Sequence, residues 1–286
     1  MYRWIPAAFA FLSVAAAQDA APAPLGQLIE VGGYRVHLYC TGLGSPTVVV
    51  AGGGFSFDWT LVQTEVAKLT RICTYDPSGT TWSDPGPELN CSSRVEELHS
   101  LLRAASVEPP YVVAGFSVGA LLARLYVHRH PADIVGAIMV DHAFLDVGGD
   151  ANPPSVPGLD SPPVLIYKEP INLTVEESSD FRKLPQRVQA LHRWAMSLNP
   201  KLPTVETAED CLGQLAGGDS LGRKPLAVVS TANDHPNYKK LQEQLLALST
   251  RSRQFLADQS FHSVEIDQPE VVVAATRWVL EAEREQ

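Results

Sequence analysis

The apolar positions of this chain fall into short continuous or alternating runs, separated by longer one-sided patterns. Gln27 to Val31 and Tyr34 to Cys40 alternate apolar and polar residues around Gly32-Gly33, which predicts a hairpin. Thr47 to Ala51 is a continuous apolar run, the pattern of a strand buried on both faces, and it leads straight into Gly52-Gly53-Gly54. Helical spacing follows at Trp59, Val62, Val66 and Leu69, then a strand over Arg71 to Tyr75 that breaks at Asp76-Pro77-Ser78-Gly79. Val95, Leu98, Leu101 and Leu102 predict a helix over Ser92 to Ala105, capped by Ser92 or Ser93. The apolar run from Tyr111 ends at Gly115, and an amphipathic helical pattern begins at once and stops at Pro131. Val135 to Val140 is the next strand and finishes at Asp141-His142. Later come a strand over Pro225 to Thr231, a helix over Tyr238 to Leu248, a strand over Arg253 to Leu256 and a terminal helix over Pro269 to Glu281. Strands alternating with helices at this rhythm predict an α/β architecture: a mostly parallel twisted sheet of about eight strands with right-handed crossovers.

Two stretches depart from the rhythm. Residues 143–224 open with Pro153, Pro154, Pro157, Pro162 and Pro163, and then show helical patterns over Leu184 to Leu198 and Val205 to Leu215. This reads as an insertion between two sheet strands, a helical cap placed to lie over the site. The N-terminus reads as targeting sequence: Arg3, an apolar region from Trp4 to Val14, and small residues Ala15 to Ala17 suited to cleavage before Gln18. Residues 1–17 are therefore expected to be a signal peptide, 18–26 a disordered lead-in, and 27–286 a single domain that is secreted or periplasmic, with no stable membrane anchor after cleavage. The apolar run is short for a membrane span.

Charge narrows the partners. Lys and Arg number 22 against 32 Asp and Glu, a formal net charge of -10, so no basic stripe is present to neutralise phosphates and nucleic acid is excluded as a partner. Export would place Cys40, Cys73, Cys91 and Cys211 in an oxidising compartment, where four cysteines allow three pairings. Cys40 and Cys73 lie in predicted strands as possible buried thiols; Cys91 and Cys211 lie in peripheral segments suited to a staple.

The stretch that carries chemistry is Gly115-Phe116-Ser117-Val118-Gly119, which fits G-x-S-x-G, the nucleophile elbow. Turning from strand to helix within a few residues strains the serine backbone and leaves no room for a Cβ two residues on either side. A serine hydroxyl needs a base to take its proton and a third group to orient the base. His262, on a loop between the last predicted strand and the terminal helix, is the candidate base. Asp234, after the strand that follows the insertion, is the preferred acid, and Asp141, after the strand that precedes it, is the alternative. Gly53, or failing that Gly54, is expected to donate its N–H to a developing oxyanion together with Val118. His128 and His130, one residue apart at a helix end, suggest a metal pair, but no neighbouring carboxylate or cysteine cluster in the sequence completes it. No cofactor or metal is expected.

Taken together, Thr47 to Trp59, Arg71 to Asp76, Trp82 to Gly86, Gly115 to Gly119 and Ser260-Phe261-His262 resemble the α/β-hydrolase superfamily, most of all its capped, secreted esterase-like members. The resemblance covers nearly the whole chain after the leader. Three positions differ from the family pattern: Ala51 stands where many members carry histidine, Asp76-Pro77-Ser78-Gly79 lacks the usual arginine, and no acid after the late strand sits in a glycine-x-Asp setting. The resemblance implies an α/β-hydrolase fold and a serine hydrolase acting on small-molecule carboxylic esters through an acyl-enzyme. Amide- or carbon–carbon-bond hydrolysis on the same residues, or ligand binding with little turnover, are the alternatives.

Overall fold

The structure, a computed structural model, describes residues 21–142, 180–200, 205–215, 220–232 and 236–285. The expected signal peptide, much of the insertion and Asp234 lie outside these residues.

The sheet has eight strands: β1 Gln27–Val31, β2 Tyr34–Thr41, β3 Thr47–Val50, β4 Ile72–Asp76, β5 Tyr111–Phe116, β6 Ile134–Val140, β7 Leu226–Thr231 and β8 Ser252–Ala257. Their spatial order is β1-β2-β4-β3-β5-β6-β7-β8. The β1–β2 and β2–β4 pairs are antiparallel and every pair from β4 to β8 is parallel. In a parallel sheet all strands from β4 onward end on the same edge, so the loops after β3, β5, β6, β7 and β8 converge there.

The strands from β3 to β7 are buried on both faces, and the two-residue period sorts their residues into two cores. Val49, Val113, Met139 and Val228 face one cluster, while Val48, Val50, Val112, Ala114, Ile138, Val140 and Val229 face the other. The first core is covered by α2 (Cys91–Ala104), α3 (Val118–Arg129), and α6 (Pro236–Leu246); the second by α1 (Thr60–Val66) and α8 (Pro269–Arg284). The helices α4 (Gln186–Ser197) and α5 (Val205–Gln214) come from the insertion, and they go to different places. Val188, Leu191 and Ala195 of α4 pack with Phe55, Phe57 and Ile266, near the loop after β3. Cys211 and Leu212 of α5 join the first core, against α2 and α3. Among the described residues, no helix is long and apolar enough to cross a membrane.

Two details differ from the sequence reading. The start of α2 is capped by Asn90, not by Ser92 or Ser93: the Asn90 side chain accepts from the Ser93 N–H, and the Ser93 hydroxyl accepts from the Asn90 N–H at 2.8 Å. Cys40 and Cys73 are not buried thiols. They stand directly opposite one another across the antiparallel β2–β4 pair and form a disulfide, and Cys91 pairs with Cys211 to join α2 to α5. Two cysteines face each other across a sheet only once the register is known, which the residue pattern of either strand does not contain.

Candidate active site

Ser117 sits between β5 and α3 with φ +54° and ψ -123°, a conformation that side chains other than glycine rarely adopt. The close packing around it explains why both flanking glycines are needed. A Cβ at Gly115 would collide with the carbonyl of Gly119, and one at Gly119 would collide with the backbone of Gly52. With no side chain at either position, α3 starts directly against the loop after β3. The Ser117 N–H donates to the Val140 carbonyl at 3.0 Å, which ties the elbow to the end of β6.

At that same end stands Asp141, also in the left-handed region at φ +35°. Its N–H donates to the Val229 carbonyl of β7 at 2.8 Å. Two strained, non-glycine residues thus lie side by side at the carboxyl edge of the sheet, held by hydrogen bonds to neighbouring strands.

His262 lies on the loop after β8, just before the short helix α7 (Val264–Asp267). Its Nε2 is 3.0 Å from Ser117 Oγ, and its Nδ1 is 2.6 Å from Asp141 Oδ2. A carboxylate only accepts, so the proton of a neutral imidazole sits on Nδ1 and leaves the Nε2 lone pair facing the serine hydroxyl. Phe116 packs against the ring, with centroids 4.6 Å apart. The structure therefore brings together Ser117, His262 and Asp141. Asp234, the preferred acid, lies outside the described residues.

Tyr238, at the start of α6, is a member of this site that its sequence position did not reveal. Its hydroxyl donates to Asp141 Oδ1 at 2.7 Å and accepts from the Thr231 N–H at 2.9 Å. Burial pushes its pKa up and the Asp141 charge adds to the effect, so the hydroxyl stays protonated and remains a donor. Glu265, three residues beyond His262, is fully buried as well. Desolvation raises its pKa well above the usual carboxyl value, with the charges of Asp58, Asp267 and Asp141 acting in the same direction. Its Oε2 has no hydrogen-bond partner among the described residues.

The glycine loop after β3 is pinned on several sides. The Gly52 carbonyl accepts from the Phe116 N–H at 3.2 Å, and the Gly53 carbonyl accepts from Trp59 Nε1 at 2.8 Å. Asp76 accepts from both the N–H and the hydroxyl of Ser56, at 2.8 and 2.7 Å, and lies 2.8 Å from His37 Nδ1. Asp58 accepts from the Phe55 N–H at 2.8 Å and lies 3.0 Å from Nδ1 of His192 on α4, so part of the insertion reaches the same loop. Gly53 has φ +96°, and a Cβ there would collide with the Phe116 carbonyl. Gly54 has φ +82° and lies against Asp58. Val118 is the first residue of α3, so its N–H is one of the helix-start donors with no acceptor inside the helix. The arrangement can take a proton from Ser117 onto His262 and hold the resulting imidazolium against Asp141.

Comparison with known proteins agrees with this architecture. A family model described as "Alpha/beta hydrolase family" matches residues 47–275. The uncharacterized protein YqjL of Bacillus subtilis is 26% identical over 238 residues, which cover 80% of this chain and 81% of that one. A probable transporter, efuK, of Hormonema carpetanum is 32% identical over 127 residues, 41% of this chain, and the match spans only 18% of its length. Among solved structures, a thermophilic esterase from Thermogutta terrifontis superposes with a TM-score of 0.63 at 19% identity, covering 90% of this chain and 98% of the esterase. With an eight-stranded sheet and a family match over most of its length, the chain belongs to the alpha/beta hydrolase family.

Proposed function

We propose that this hydrolase cleaves carboxylic esters through an acyl-enzyme on Ser117, with His262 as the base and Asp141 as the acid that orients it. The observation that carries the reading is the unbroken line from Ser117 Oγ to His262 Nε2 at 3.0 Å and from His262 Nδ1 to Asp141 Oδ2 at 2.6 Å. In the first half-reaction His262 accepts the hydroxyl proton as Ser117 attacks the ester carbonyl, then returns it to the departing alcohol. Water deacylates the serine in the second half, with His262 again taking and returning a proton. The N–H groups of Gly53 and Val118 hold the oxyanion; a missing donor of this kind typically costs on the order of 10²–10³ in turnover. Tyr238 is a positioning residue, since it touches Asp141 and not the reacting atoms. The likeness to a thermophilic esterase supports the fold and leaves the choice of bond to the chemistry of the site.

Turnover of p-nitrophenyl acetate and butyrate by the purified chain, set beside Ser117→Ala, tests the proposal. Serine-dependent hydrolysis of either ester supports it, and a wild-type rate equal to that of Ser117→Ala on both contradicts it. We further propose that residues 1–17 direct export and are removed. Two disulfides among the described residues support an oxidising compartment. N-terminal sequencing of the mature protein checks this: a chain beginning at Gln18 is expected, and one that retains Met1 contradicts it.

A further inference from the structure

The far end of α3 carries a second cluster of chemistry-bearing side chains, unconnected with Ser117. A ligand atom from each of His99, His130 and Asp133 lies within 4.8 Å of the others. Three separate elements supply them: His99 comes from α2, His130 ends α3, and Asp133 precedes β6. The sequence shows only His128 and His130 near each other; folding replaces His128, which is exposed, with His99 and adds the carboxylate that the local pattern lacks.

We propose that His99, His130 and Asp133 form a binding site for a divalent transition metal of the zinc class, with Glu96 as a fourth, weaker oxygen donor. Glu96 and His99 are three residues apart on α2 and so present their side chains from one helix face. Glu96 Oε1 lies 3.4 Å from His130 Nε2, and Asp133 Oδ2 lies 3.6 Å from His99 Nδ1. Two imidazoles and two carboxylates are the donor set that zinc accepts in four-coordinate sites, whereas magnesium and calcium favour oxygen donors throughout.

Two further observations favour a site over a chance surface grouping, and a third says what metal entry would require. The imidazoles of His99 and His130 stack with centroids 3.9 Å apart and planes within 4°, so one ring must turn about its side-chain torsions for both in-plane lone pairs to meet one ion. The His130 Nε2 atom is buried and makes no well-aligned hydrogen bond among the described residues, its carboxylate neighbour Glu96 Oε1 standing off at 3.4 Å, so a ligand atom is already withdrawn from water. The backbone beneath Asp133 is fixed, with its N–H donating to the His130 carbonyl at 3.1 Å and its carbonyl accepting from Tyr111 of β5 at 2.7 Å. His99 Nδ1 lies 3.1 Å from the Tyr126 hydroxyl, and Glu96 is shared with Arg129 at 3.4 Å. Metal entry would therefore displace the tyrosine contact, and competition from Arg129 is why Glu96 ranks last.

Twelve residues of α3 separate the two ends, about 18 Å along the helix axis. The cation would thus clamp α2, α3 and the start of β6 without touching the reacting atoms. Calorimetric titration of the untagged, chelator-treated protein with zinc, alongside its melting temperature, tests this. One zinc per chain with a dissociation constant at or below the micromolar range, together with a raised Tm, is expected. His99→Gln and His130→Ala should each weaken binding at least tenfold, Glu96→Gln should weaken it less, and His128→Ala should leave it unchanged. Magnesium and calcium should produce neither heat nor a Tm shift. If either histidine variant fails to fold, cobalt added to the wild-type protein decides: paramagnetic broadening confined to the His99 and His130 ring signals supports the site. Broadening centred on His128, zinc affinity unaffected by the histidine variants, or no saturable zinc binding would overturn it.

Discussion

At the residue scale, the identity of the acid matters most. His262 receives Asp141 on Nδ1 and faces Ser117 with Nε2, so removing the Asp141 charge should leave the imidazole without its orienting partner. Asp141→Asn is expected to lower kcat on the order of 10⁴, as loss of such an aspartate does in serine proteases, while Asp234→Asn should change it only a few-fold; ester turnover by both variants checks this. Tyr238→Phe removes one hydrogen bond to a charged group, an interaction of about 1.5–3 kcal/mol, so a drop in kcat of about ten- to a hundredfold with little change in KM is expected. The placement of Ser117 at a strand-to-helix turn was legible from the sequence because its requirements are local: two glycines, a strand before and a helix after. His262 was legible because it follows the last strand. Which carboxylate meets His262 was not, and the reason lies in the sheet. β6 and β7 are parallel neighbours, with Val140 opposite Val229, so both strands end on the same sheet edge. Sequence order alone does not say which carboxylate reaches His262, whereas the folded chain holds Asp141 there, its N–H bonded to the Val229 carbonyl and its Oδ2 2.6 Å from His262 Nδ1.

At the scale of elements, the elbow depends on contact between α3 and the loop after β3. A methyl group at Gly119 would meet the backbone of Gly52, which has no flexible end to move aside. Gly119→Ala is expected to destabilise the protein by about 1–3 kcal/mol, the usual cost of overpacking, and to reduce turnover more than its stability loss explains, because Ser117 and Gly53 move with the strained segments. Urea unfolding and ester hydrolysis on the same preparation check both halves. The strands themselves were readable because period-two burial of both faces leaves continuous apolar runs. The cap of α2 was less so. Asn90, Ser92 and Ser93 can all cap, and the reciprocal Asn90–Ser93 bonds choose the first turn only in three dimensions. The helices of the insertion were visible as patterns, but where they pack was not. Nothing in the amphipathicity of α5 says that it packs against α2 and α3, with Cys91–Cys211 tying it to α2.

At the scale of the whole molecule, that disulfide closes a sequence separation of 120 residues. Replacing Cys91 and Cys211 together by alanine should cost about 2–5 kcal/mol of unfolding free energy, measured in denaturant without reductant. Stability should also carry a pH signature from Glu265. Its carboxyl pKa is raised on folding from the ordinary value of 4.5, so between that value and its folded-state pKa the native protein holds more protons than the unfolded chain. This contribution to stability is present below pH 4.5 and is lost as pH rises through the window. Glu265→Gln, which cannot ionise, should therefore gain stability relative to wild type as pH increases, and denaturation midpoints at acidic and neutral pH test the sign. In the proposed reaction, acyl transfer passes through Ser117 at the meeting point of three loops on one sheet edge. Rapid quenching during turnover of p-nitrophenyl butyrate, followed by peptide mass analysis, tests it most directly. The account predicts one butyryl group on the peptide containing Ser117, absent in Ser117→Ala; turnover that continues in Ser117→Ala, or an acyl group carried on another residue, would contradict it.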